Sequence, residues 1–103
     1  MMKIIKCIAD KIDDELKDAE EYADLAQKWK STEPETADVF YDLSTEELGH
    51  MEKLHDEVVR QINAYREEHG EPPEGMKMLY DYLHGKHMER AKMIKVMQSM
   101  YKE

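Results

Sequence analysis

Apolar residues recur at steps of three and four along three long runs parted by two short breaks, and this pattern leaves helices as the regular structure open to the chain. The first run, residues 2–30, carries Ile5, Ile8, Ile12, Glu15, Ala19, Tyr22 and Ala26 on one face. The second, residues 33–69, carries Thr36, Phe40, Leu43, Glu47, His50, Leu54, Val58, Ile62 and Tyr65. The third, residues 74–102, carries Met76, Tyr80, Leu83, His87, Ala91, Ile94, Met97 and Tyr101. At the first break Thr32 and Glu35 form a capping-box pattern, with Pro34 suited to a first turn. At the second, Gly70 followed by Pro72 and Pro73 is a helix stop. No run alternates apolar with polar residues, and no Asn-Gly or Asp-Gly hairpin signal occurs. Breaks this short make successive helices antiparallel neighbours. The expectation is an all-α chain, residues 1–103 forming one domain, an antiparallel helical hairpin plus a third helix; 103 residues are too few for two cores.

Fifteen basic against twenty-four acidic residues give a net charge of −9, which excludes a phosphate-binding surface and nucleic acid as a partner but suits the attraction of cations. Helices with wide solvated faces also explain why 38% of residues are charged and 41% hydrophobic. The apolar run in "MMKIIKCIADKIDDE" is broken by Lys6 and Asp10, too short for a secretory signal or a membrane span. One cysteine marks no oxidising compartment, so a cytoplasmic protein without membrane association is expected. Cys7 itself reads as a small buried apolar residue, and most of the nine methionines, six of them from Met76 onward, read as core fillers.

Glu15, Glu47 and His50 break the logic of their stripes. A carboxylate buried without a partner costs several kcal/mol, so these positions call for something cationic. Glu15 lies about sixteen residues before the hairpin centre and Glu47 about sixteen after it, which sets them side by side in an antiparallel pair of equal rise. His50 projects from the same face almost one turn beyond Glu47. A carboxylate facing a Glu-x-x-His offers oxygen and imidazole ligands to iron or manganese. It is one half of a carboxylate-bridged di-metal set, whose other half a twofold dimer would add. The plainer alternative is a shifted stripe, with the trio hydrogen-bonded at an interface edge.

The stretches "ELKDAEEYADLA" (residues 15–26) and "FYDLSTEELGHMEKLH" (residues 40–55) resemble the metal-binding helix pair of the ferritin-like superfamily. They look like one half of a rubrerythrin or bacterioferritin bundle, and are similar to the encapsulated ferritins, in which a single helix pair completes a di-iron centre by dimerising. The resemblance covers about residues 5–60 and leaves out the third helix. It implies a four-helix core completed by homodimerisation or a higher homo-oligomer. It also implies Glu15, Glu47 and His50 as iron ligands, with Tyr22 hydrogen-bonded behind them and manganese or zinc as other metals. The implied activity is that of a ferroxidase-like oxidoreductase acting on ferrous iron, oxygen or peroxide. No cysteine set for a rubredoxin-type centre is present, so any reductant would be external.

On the third helix, His84 and His87 are three apart, as are Asp81 and His84, and are secondary metal candidates. Their height along the bundle is about 9 Å from the Glu47 neighbourhood, so they would serve a partner chain or simply pack half exposed; Ile94 is the level match to Glu47. His55 and Glu52 read as solvated. Glu20, Glu21 and Glu46 read as an acidic approach route or a plain solvated face. Gly49 and Gly85 mark either a close approach or a tolerated surface glycine. The rival function is a non-enzymatic interaction or structural module, with or without a structural metal, that binds a protein partner through the Met-rich third helix.

Overall fold

The computed structural model describes residues 1–103 as three α-helices without a strand: α1 (Met2–Trp29), α2 (Pro34–His69) and α3 (Glu74–Lys102). The bounds follow the sequence signals to within a residue. Pro34 opens α2 as its first residue, but the cap is Glu33 and no side chain bonds the free N–H groups, so the Thr32–Glu35 capping box does not form. Gly70, at φ +80°, ends α2 with its N–H donating to the Arg66 carbonyl at 2.9 Å; a β-carbon is disfavoured in that conformation. No helix is long and apolar enough to cross a membrane.

α1 and α2 form the antiparallel hairpin, and α3 returns antiparallel to α2 and parallel to α1, giving a rod of 56 × 18 × 17 Å. One core runs along it, built from Ile5, Ile8, Ile12 and Leu16 of α1, Leu48, Met51 and Val58 of α2, and Ala91 and Ile94 of α3. Leu16, Met51 and Ile94 are each exposed by 2% or less, burial that contributes about 1.5–3 kcal/mol per side chain. Towards the 30–33 connection the α1–α2 seam narrows to Ala19, Ala23, Ala26, Ala37 and Ser44. There Tyr101 closes the bundle: its hydroxyl donates to Asp38, its ring stacks on Tyr41 at 5.2 Å, and Lys30 donates to its carbonyl. Asp38 pushes the Tyr101 hydroxyl up to about 12. At the other end the helices part around an apolar groove of about 520 Å³ between Ile5, Val59, Ile62, Met76 and Leu83.

α1 buries the expected Ile5, Ile8, Ile12, Ala19 and Ala26 but has Leu16 and Ala23 inside where Glu15 and Tyr22 were expected, α3 buries Gln98 in place of Met97, and α2 is turned by one residue. Its buried row is Ala37, Ser44, Leu48, Met51 and Val58, and Phe40, Leu43, Glu47 and Leu54 are half-buried on the flank, with His50 exposed. Both rows have helical spacing; α3 decides between them, because Ile94 and Gln98 press on the second. Cys7 is exposed, not buried. The methionines are mostly outside the core as well: Met51 is buried, but Met78, Met93 and Met100 face solvent.

Ser44 joins all three helices. Its hydroxyl donates to the Ala19 carbonyl at 2.7 Å and accepts from Gln98 Nε2 at 2.9 Å, with Ser44 fully buried. Ser44→Ala strands the Gln98 amide and should lower stability by about 1–3 kcal/mol in urea unfolding. Ser44→Ala with Gln98→Leu, which removes both polar partners, should recover part of that loss.

Candidate metal centre

The short connection after α1 sets the levels of the hairpin, and Glu15 arrives beside Glu47 and His50 as the residue count predicts. One ligand atom from each of the three lies within 4.8 Å of the others, and this is the sole group of three or more His, Cys, Asp or Glu side chains that converges in this way. His50 Nδ1 stands 3.3 Å from Glu15 Oε2 and 3.8 Å from Glu47 Oε2. The trio occupies the flank of the hairpin away from α3. There the Glu47 side chain keeps 17% of its surface exposed, Glu15 25% and His50 57%. Half-buried Tyr22, Leu25, Phe40, Leu43 and Leu54 share this flank.

Two carboxylates this close resist simultaneous ionisation. The hydrogen bond with Glu15 pushes Glu47 up to about 7, assisted by burial and by the Glu15 charge; His50 opposes the shift, and the nearby Asp18 adds to it. Without a cation, therefore, a proton bridges Glu15 and Glu47 at mildly acidic pH. Three donors of two kinds on one side of a hairpin, open towards solvent, can cap a metal ion from one side and leave its other side free.

Tyr22 does not reach the trio within the chain: its ring stacks on Phe40 at 6.2 Å, and its hydroxyl has no hydrogen-bond partner there. His84 and His87 lie apart from the trio. His87 is buried and its Nε2 pairs with Asp13 Oδ1 at 2.9 Å, while His84 is sandwiched between His55, at 4.6 Å, and Tyr80, at 5.7 Å. Burial, with the His55 charge behind it, lowers the His84 pKa. His55 is thus a packing residue, not a solvated one. Of the acidic residues expected to guide cations, Glu20 is tied to Arg90 of α3 at 3.2 Å; Glu21 and Glu46 are exposed. Neither Gly49 nor Gly85 is approached by another helix within the chain, since a β-carbon at either would meet nothing within 4 Å. Asp13 and Asp18 were not singled out by spacing, because each sits among other acidic residues on a face that reads as solvated.

No protein-family model, no curated protein and no solved structure matches this chain.

Because Glu47 titrates from about 7 when folded and from 4.5 as a free side chain, the folded metal-free chain holds more protons than the unfolded chain between those values. This group's contribution to stability is therefore complete below pH 4.5 and is lost as pH rises to about 7. Carbon-detected NMR of the Glu47 carboxyl should give a midpoint near 7, and Glu15→Ala should return it towards 4.5; an unshifted midpoint in Glu15→Ala would contradict the shared proton.

Proposed function

We propose that the chain is a ferritin-like di-iron, or di-manganese, carboxylate protein whose metal centre is shared between two copies. The observation that carries this reading is the convergence of Glu15, Glu47 and His50 within 4.8 Å on a flank that α3 leaves open. The donor chemistry fits. Two carboxylates and an imidazole are the ligands that iron and manganese take in helical bundles, and the proton bridging Glu15 and Glu47 occupies the place a cation would neutralise.

Dimerisation is supported by what surrounds the trio. Tyr22, Leu25, Phe40, Leu43 and Leu54 are apolar or aromatic and only half-buried, a surface suited to a second hairpin. A twofold axis through this flank makes a four-helix core and adds an identical set of three ligands, completing the set of four carboxylates and two histidines. In that core Glu15 and Glu47 would hold and neutralise the cations, and His50 would add an imidazole ligand from one turn along. The stacked pair Tyr22–Phe40 would then be enclosed between the two hairpins. The chemistry supplied by the bound metal is oxidation of ferrous iron by dioxygen or peroxide, so the activity is ferroxidase-like, with the reductant supplied from outside the chain.

Anaerobic titration with ferrous iron should load about one iron per chain, and admission of air should then raise the near-ultraviolet absorbance of ferric iron. Glu47→Ala should abolish both while leaving the helical content unchanged, because Glu47 lies on the flank and not in the core. Wild-type protein that binds no iron would overturn the reading; iron or zinc held tightly without oxygen consumption would reduce the site to a structural one.

A further inference from the structure

The outward face of α3 carries an apolar row that nothing in the chain covers. Met78, Tyr82, Met93, Val96 and Met100 are 66%, 60%, 64%, 54% and 59% exposed, opposite the buried His87, Ala91, Ile94 and Tyr101. With Gly85 and Glu89 in their places, the row runs 78, 82, 85, 89, 93, 96, 100 in steps of four, three, four, four, three and four. It therefore reads the same from either end about Glu89. A helix with such a row is complementary to its own antiparallel copy.

We propose that this face is a self-docking surface, on which α3 of a second copy lies antiparallel with the twofold axis passing at Glu89. In that register Met78 is level with Met100, Tyr82 with Val96, and Gly85 with Met93, over a length of about 33 Å. Gly85 leaves open space where a β-carbon would stand, which gives Met93 of the second copy a hole to fill. The charges agree with the same register. Glu89 is the one charged residue in the row, and Lys86 and Lys92 stand three residues to either side of it. Pairing brings Lys86 of one copy level with Lys92 of the other, so the two Glu89 carboxylates at the axis are ringed by four ammonium groups.

These three residues are also free for such use. Lys77, Arg90 and Lys95 pair with Glu71, Glu20 and Glu52 of the same chain, at 3.3, 3.2 and 3.8 Å. Glu89 and Lys92 have no ion pair, and Lys86 lies over the Tyr82 ring at 5.3 Å without one. Residues 74–103 carry a net +2 in a chain whose total is −9, so this face is free of the acidic excess of the hairpin. The inference does not rest on the metal reading, because the row lies on the side of α3 turned away from the hairpin.

The test uses the full chain in a Cys7→Ser background with chelator present, carrying either Glu89→Cys or Met78→Cys. Both positions are exposed, and circular dichroism checks that each variant keeps its helices. At helix-packing distance the two residues at the axis fall within disulfide range, whereas the two copies of position 78 stand about 33 Å apart. Mild oxidation should convert Glu89→Cys into a disulfide-linked dimer on a non-reducing gel and leave Met78→Cys a single chain. Equal cross-linking of both variants would mean a parallel or unspecific contact, and absence of the cross-link at 89 would mean no such contact; either overturns the proposal. Since no metal is present, neither result alters the outcome of the iron titration.

Discussion

The four residues between Trp29 and Pro34 decide most of what this chain can do. A connection that short fixes one level match between α1 and α2, and the contacts at Ala19–Ser44 and Glu15–His50 follow from it in order. Small side chains along the seam allow the two backbones to come close. The carboxylates then meet where the seam gives way to Leu16 and Leu48. Sliding α2 by a single residue would move its side chains about 1.5 Å along the axis and swing them about 100° around it, which is enough to separate His50 from Glu15.

α3 stabilises this hairpin without covering Glu15, Glu47 and His50. Ile94 and Ala91 join the core, His87 reaches Asp13, and Gln98 reaches Ser44, all on the side of the hairpin away from the trio. A small three-helix chain cannot enclose all of its apolar surface. What remains uncovered lies on two separate faces, the half-buried aromatic and leucine surround of the trio and the outer row of α3. Each face is suited to a contact between copies, and two different twofold contacts on one chain would build assemblies larger than a dimer.

The three helices and their ends were legible because the 3.6-residue period runs unbroken between a proline start at Pro34 and a glycine stop at Gly70. The meeting of Glu15 with Glu47 and His50 was legible too, since an antiparallel pair converts residue counts into heights. The rotation of α2 was not. Rows through Phe40, Leu43 and Leu54 and through Ala37, Leu48 and Met51 are both acceptable helical stripes, and the choice depends on where α3 lands, which no local pattern encodes. The same cause misplaced His55, whose ring is half-buried only because α3 sets His84 against it. Cys7 and the outer methionines failed for another reason: their side chains are apolar, and apolar character alone does not say which side of a helix finds a neighbour.

The uneven fastening of α3 has a mechanical consequence. One end is clamped, with Tyr101 bound at its hydroxyl, ring and carbonyl, while the other rests over an open groove and is joined to α2 by a turn held through buried Pro72 and through Glu71, which pairs with Arg66 and Lys77. The buried positions of α3 run from His87 to Tyr101, so local opening of the helix costs least in its first turns. Opening there would widen the groove between Ile5 and Met76, and the stacked His55 and His84 stand between those first turns and the buried part of α3. Glu15, Glu47 and His50 belong to α1 and α2 alone, so such opening would leave the three side chains of the cluster in register with one another.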